Sequence, residues 1–502
     1  MHIRRRAWIL AACLAACGGS SETGRASDAP DALPSEEAPA TPAVPAAPDV
    51  PAAGTGEPAE SGEPATPEEE QAALPPSGDQ KWALEMAAPS FVESRGVAVS
   101  PLGNVFEASV FNTGMDFGDG PATVPGSNAH AALVKFSPSG KLVWKRVFSS
   151  TIGIQAYAAA VDGNGSSAIV GSFSGKTEFG TADGTVEFEI ATAGFIAVHR
   201  WDGELLWKRS AIAPHAAYWP TFMEWRHASF DSEGNLVVAG QFRGAGFDFG
   251  DGIVRSAQDG DVRNTVVAKY DRTGKALWVK VYEPSDESGV GPASMAVAPD
   301  GRIALAMAFR GKLSFEGSTV GSNALAGQDQ LLAVLDANGK LLWVKTWEVP
   351  VHSMAFSNDA LAVTSSVIEP LSFGGKTLTP RPDEWDGLVA VFDASGSERW
   401  AQLLSSTARD GFDDVSFGPA GDVYVSGVTE GETATLGERA LTGKGFVVAR
   451  LSANGTPLWI QREVATAQNA RIAVAADGSL AVGATKLDSS NAMVLLLWKL
   501  AH

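Results

Sequence analysis

The sequence predicts an all-β protein, a seven-bladed β-propeller of four-stranded antiparallel blades, and three observations predict it. Gly and Trp four residues apart recur at Gly78/Trp82, Gly140/Trp144, Gly203/Trp207, Gly274/Trp278, Gly339/Trp343, Gly396/Trp400 and Gly455/Trp459, with 57 to 71 residues between copies, so one supersecondary unit is repeated. Each unit holds four apolar runs rich in Val, Leu and aromatics, bounded by Gly and Asp, which read as strands. The last unit ends at His502 after three runs, and the missing fourth stands at the other end, in residues 80–86.

Residues 1–17 precede the repeats and have three parts: Arg4-Arg5-Arg6, an apolar run from Ala7 to Ala16, and Cys17 followed by Gly18-Gly19-Ser20-Ser21. A basic segment, a short apolar core and small residues make a secretory signal too short to span a membrane. Leu14-Ala15-Ala16-Cys17 resembles the bacterial lipobox, so Cys17 is the expected lipidation site. Leu10-Ala11-Ala12-Cys13 fits the same pattern but leaves a shorter apolar run. An ordinary secretory signal with incidental cysteines is the alternative. Lipidation consumes both cysteines of the chain, and the mature head then folds without a disulfide. Gly18, rather than Asp, follows Cys17, which points to the outer membrane or cell surface.

Residues 18–77 hold 12 of the 28 prolines, 12 carboxylates and one basic residue, Arg25. Such a segment cannot bury enough apolar surface to offset its ordering entropy and is expected to be a disordered tether. As a coil its sixty residues span about 45 Å. Of the net charge of −20, the signal contributes +3 and the tether −11, leaving −12 for the head. That excess argues against nucleic-acid or anionic-lipid binding by the head, so membrane contact is expected through Cys17 alone.

Within residues 78–502 the strands are labelled A to D from the axis outwards. In the third unit they fall at 225–231, 235–242, 265–271 and 275–282. The first run of each unit is Ala-rich, as in Gly96-Val97-Ala98-Val99 and Ala158-Ala159-Ala160-Val161, which suits strands crowded around an axis. Trp82, Trp144, Trp207, Trp278, Trp343, Trp400 and Trp459 then lie on the outermost strand and are expected to pack between blades. The A–B and C–D turns are short, whereas B–C and several D–A connections are long. Both long classes emerge on one face, where a site is expected. Residues 80–86 are expected to pair beside strand C of the last unit, closing the ring and removing an exposed edge. The head is expected to be monomeric.

Val237-Val238-Ala239-Gly240-Gln241-Phe242, then Phe247-Asp248-Phe249-Gly250-Asp251-Gly252, then Val266-Val267-Ala268-Lys269-Tyr270-Asp271 and the Gly/Trp turn make a distinctive series. Met115-Asp116-Phe117-Gly118-Asp119-Gly120 and Thr177-Glu178-Phe179-Gly180 repeat its middle part, and Leu371-Ser372-Phe373-Gly374 is a weaker copy. Over residues 78–502 this resembles the bacterial β-propeller repeats of secreted and surface proteins often called SBBP repeats. The resemblance implies the fold and brings no catalytic residues. The Asp-x-x-Gly-x-x-x-Trp turns of units three to five also resemble the tryptophan-docking repeats of quinoprotein dehydrogenases and of an outer-membrane assembly lipoprotein. The enzymes have eight blades and often adjacent cysteines, and the assembly factor lacks the Asp-Phe-Gly loops.

No cofactor is predicted. The head's histidines, at 130, 199, 215, 227, 352 and 502, show no zinc spacing. Residues 171–177 resemble a phosphate-binding loop one residue short and read as a turn at the start of a B–C connection. Asp116/Asp119 and Asp248/Asp251 are weak calcium candidates, with Asp162 and Asn164 as further oxygens, against the plainer reading that they satisfy turn backbone. The candidate ligand-binding stretch is the D–A connection before unit three, with His215, Tyr218, Trp219, Trp225, Arg226 and His227, able to stack a sugar or to plug the axial channel. The expected function is a non-catalytic envelope lipoprotein binding a protein or glycan. The alternatives are an extracytoplasmic enzyme with acids or histidines converging over the axis, and an outer-membrane assembly factor.

Overall fold

The runs predicted as second and third strands are apolar on both faces, and both faces are covered: Val105–Phe111 and His130–Phe136 are buried at every position. In the computed structural model, which describes residues 80–501 apart from 89, 123, 125, 127, 180–184, 212–220, 245, 256–261, 285–288, 310–311, 322–328, 463–467 and 488–492, every regular element is a strand. All of them lie in the part of the chain from Pro67 to His502. The signal, Cys17 and the tether lie outside the described residues.

The strands pair antiparallel in the expected order A-B-C-D. In the third unit these are Phe222–Phe230, Leu236–Arg243, Asn264–Tyr270 and Ala276–Tyr282, each within about three residues of its expected bounds. The last unit is Gln468–Val474, Leu480–Leu487 and Met493–Leu500, and its fourth strand is Gln80–Ala87, antiparallel to Met493–Leu500 from Gln80↔Leu500 to Ala87↔Val494. Lys81–Asp477 at 3.5 Å and Lys486–Glu85 at 2.6 Å tie that strand further to the end of the chain.

The long B–C connections are not plain loops. Short hairpins occupy them, Leu313–Phe315 with Ser318–Val320 and Leu371–Phe373 with Lys376–Leu378 among them. In the second unit the hairpin simply prolongs the strands Ser167–Phe179 and Thr185–His199. Residues 171–177 are therefore strand, neither a phosphate-binding loop nor a turn. Their segment pairs with the first unit's last strand, Phe148↔Phe179, so the hairpin of one unit lies on its predecessor.

The apolar clusters lie between consecutive units. Phe106, Trp144 and Phe173 join the first two; Met295 and Leu305 pack with Val237 and Val267. Leu495, Leu497 and Ala481 of the last unit pack with Val97, Val105 and Phe111 of the first. Successive inner strands lie side by side from Val92–Val99 to Gln468–Val474, and Gln468–Val474 packs in turn against Val92–Val99.

The repeated Trp docks onto the next unit. A Cβ on Gly140, Gly203, Gly274, Gly396 or Gly455 would fall 2.5–3.0 Å from the ring of Trp82, Trp144, Trp207, Trp343 or Trp400, respectively. The same turn accepts a bond from the indole: Trp82 Nε1 donates to Pro138 O at 2.9 Å, Trp144 to Trp201 O at 3.2 Å, Trp278 to Ala337 O at 3.3 Å, Trp343 to Ala394 O at 3.1 Å and Trp400 to Ala453 O at 2.9 Å. Two residues after the Trp, Arg146, Arg209 and Gln402 donate to the carbonyls of Gly203, Gly274 and Gly455. Glycine is required there on two counts, the ring against its Cα and a φ near +85°.

Candidate functional site

Aligning the units on their A–B turns exposes where they differ. The inner strands end at one register, on Val99, Val161, Phe230, Val297, Phe356, Phe417 and Val474. All but Val99 line a cavity of about 530 Å³ that opens among the A–B turns. One and two residues earlier the strands carry Ala or Ser, then Val, Ala, Met or Ile. Three residues earlier the similarity ends: Gly96, Ala158, His227, Ser294, Ser353, Asp414 and Arg471 share a level.

A bulge follows at once. The register slips between Ser94/Gly96, Ala156/Ala158, Trp225/His227, Pro292/Ser294 and Phe412/Asp414, leaving Arg95, Tyr157, Arg226, Ala293 and Asp413 as the inserted residues. A bulge re-aims the side chain it inserts. His352 precedes the shorter strand Ser353–Phe356. A charged and aromatic layer thus sits above the uniform apolar end of the inner strands.

Its contacts are specific. Glu224 binds Arg226 through Nη2 at 2.8 Å and Nε at 3.1 Å, and it also accepts from Gln241 Nε2 at 3.0 Å and from the Tyr157 hydroxyl at 3.3 Å. The Arg226 guanidinium lies 5.1 Å from the centre of the Tyr157 ring. Glu93 binds Arg95 at 2.6 Å. Asp414 bridges three units, accepting from Ser353 Oγ at 2.5 Å, Val415 N at 2.9 Å and Ile472 N at 2.8 Å. His352 Nδ1 lies 2.8 Å from Phe412 O.

Burial and charge set the protonation states. Burial, helped by the charges of Arg226 and Arg471, pushes the His227 imidazole down to about 4. Burial raises Asp413 and Asp414, with Arg471 opposing it in both. Burial also pushes Glu107 well above the usual carboxylate range, opposed by Ser94 and Arg471. The Glu107 carboxyl is fully buried, and Gly483 makes room for it, since a Cβ there would lie 2.6 Å from Glu107 Oε2. The single guanidinium of Arg471 is thus the shared partner of Glu107, Asp413 and Asp414, and it opposes protonation of His227.

Of the expected ligand-binding stretch, His215, Tyr218 and Trp219 lie outside the described residues. Trp225 is not a loop residue: it sits on the inner strand, 1% exposed, edge-on to Phe249 at 5.7 Å. Arg226 and His227 stand on that strand too, within the charged layer. Arg95, Tyr157, Glu224, Asp413 and Arg471 escaped the sequence reading because single charges in a strand look like solvated positions. Alignment of the units on their A–B turns is the signal that finds them.

The calcium candidates are otherwise engaged. Asp116 Oδ1 accepts from the amides of Gly118 and Gly120 at 2.8 and 3.0 Å, and Asp248 Oδ1 from Gly250 and Gly252 at 2.7 and 3.1 Å. Asp119 pairs with Lys145, and Asp251 grips Arg255 through both oxygens. Asp162 accepts from Asn164 N and Ser166 N. They satisfy turn backbone and neighbouring cations. Among the described residues no group of three or more His, Cys, Asp or Glu is placed to hold a metal.

No protein-family model and no curated protein matches the chain. Among solved structures it is similar to BamB from Moraxella catarrhalis, at 11% identity and a TM-score of 0.33 over 81% of this chain and 85% of that one. It is also similar to the polysaccharide lyase Uly1, at 12% identity and a TM-score of 0.44 over 83% and 90%. A NanB sialidase variant from Streptococcus pneumoniae matches at 11% and 0.37 over 87% and 72%. Likeness of this degree carries no argument about ligand or reaction.

Proposed function

We propose that the protein is an envelope lipoprotein, anchored through Cys17, whose repeats form a closed seven-bladed β-propeller that binds a glycan at the charged axial layer. The observation that carries this reading is the confinement of difference: the units agree over the last three residues of the inner strands and part at the bulge, where Arg95, Tyr157, Arg226, His352 and Asp413 stand at one level. Structural identity among repeats is set by packing, so departures at one level are what a ligand requires. An aromatic ring beside guanidinium and carboxylate groups suits hydroxyl-rich sugars. Closure is supported by the pairing of Gln80–Ala87 with Met493–Leu500 and by the apolar layer between last and first units. The anchor and envelope location rest on residues 4–17.

A second reading, chemistry on a glycan at the same layer, is favoured by Asp413, a half-buried carboxyl at the bulge beside Asp414, which desolvation holds towards the protonated state a general acid needs. A glycan array probed with the full-length protein in detergent tests both. Binding that falls at least about ten-fold in Tyr157→Ala and Arg226→Ala supports the site. Binding unchanged in both variants removes it, and release of new reducing or unsaturated ends selects the second reading.

A further inference from the structure

We propose that Asp386 and Asp410 form a hard-cation site of the calcium class at the junction of the fifth and sixth units, completed by Thr429. Asp386 begins the strand Asp386–Asp393 and Asp410 begins Asp410–Phe417; the two starts are joined by Asp410 N donating to Trp385 O at 2.6 Å. Asp410 is 1% exposed and Asp386 fully buried. Asp386 Oδ1 has no hydrogen-bond partner, and the Asp410 carboxylate is held only outside ideal geometry, with the Thr429 and Ser406 hydroxyls and the Ser406 amide facing it. Asp386 Oδ2 is held by Ser405 Oγ and by Arg381 N at 3.1 Å, which fixes the carboxylate with its other oxygen free. Thr429, opposite Asp410 in the strand register, is also buried, and its hydroxyl faces the Asp410 carboxylate.

A fully buried carboxylate oxygen with no partner, beside a second buried carboxylate held only by loosely placed hydroxyls, contradicts the rule that buried polar atoms are paired, unless something bonds there. Two neighbouring carboxylates repel, and a divalent cation cancels that charge as no neutral group does. Carboxylate and hydroxyl oxygens with no nitrogen or sulfur are the donor set of a hard cation, with water filling the remaining positions. The place differs from the axial layer and from the Asp-Phe-Gly loops, whose carboxylates are already committed to backbone amides, Lys145 and Arg255.

The test is thermal unfolding of the full-length protein in detergent, stripped with chelator and titrated with calcium chloride at pH 7.5, alongside equilibrium dialysis with the same salt. The expected result is one calcium per chain and a rise of at least about 3 °C in the unfolding midpoint. Asp410→Asn should abolish both, with a calcium-free midpoint at or above that of the parent. Thr429→Val keeps the side-chain shape and should weaken calcium at least about five-fold, which preserves the test if Asp410→Asn fails to fold. No bound calcium in the parent protein overturns the proposal, as does calcium binding unchanged in Thr429→Val and Asp410→Asn. A stripped protein that ignores calcium and loses stability as pH rises from 5 to 7 also overturns it, because the carboxylates then share a proton.

Discussion

His199 shows how one buried side chain sets a condition on the fold. It is fully buried, with neither ring nitrogen hydrogen-bonded, and its ring lies 5.9 Å from Phe148 and 6.3 Å from Trp144. Burial, with Arg146 adding to it, pushes the imidazole down to about 4. The unfolded chain takes up a proton near pH 6.5 that the folded chain refuses until pH 4. Stability is therefore full above pH 6.5, falls as pH drops to about 4, and is flat below; the loss from this group is about 3 kcal/mol. His199→Phe should keep the aromatic packing and abolish this loss, so urea unfolding at pH 7 and pH 4.5 should give a smaller difference than in the parent. An unchanged difference would assign the acid sensitivity elsewhere. Residues of this kind were the least legible in the sequence. Trp225 and Trp219 looked alike as candidate stacking rings, yet Trp225 is core, because a side chain's fate depends on which face of its strand the bulge presents.

The Trp dock is the element on which the repeat rests, and it was legible because it is local: a fixed turn, a fixed Gly and a Trp four residues on. What the sequence concealed was the partner. The Gly does not meet the Trp of its own copy; Trp82, Trp144, Trp207, Trp278, Trp343 and Trp400 each reach the Gly of the next copy, roughly sixty residues away. Trp343→Ala should cost about 3–4 kcal/mol, combining lost ring burial with the orphaned Ala394 carbonyl. A calorimetric loss below about 1 kcal/mol would mean the indole is decoration. The B–C connections were misread as loops because runs of two to four strand residues, such as Leu313–Phe315, are too short for alternation to register.

At the scale of the whole molecule, the expectation that the N-terminal run completes the last unit was legible from counting: seven first strands and one unit short of a fourth. The charged layer on the inner strands was not, because it is assembled from residues about sixty positions apart that come to one level only when those strands stand side by side. Met493–Leu500 is almost wholly buried, and Gln80–Ala87 covers its outer edge. Deleting residues 80–87 should bare that edge and drive self-association, read as a shift from monomer to oligomers by light scattering. A variant that stays monomeric with an unchanged unfolding temperature would show that the strand is dispensable.

That pairing also orders events in time. Gln80–Ala87 leaves the ribosome before the other described strands, and its partner Met493–Leu500 follows roughly 400 residues later. At typical synthesis rates the first strand waits on the order of 20–80 s for its mate. A chain cut short anywhere in between can build its early units but never its final one, and it presents two naked strand edges to the proteases of its compartment. The pairing of Gln80–Ala87 with Met493–Leu500 therefore reports that synthesis has passed residue 500.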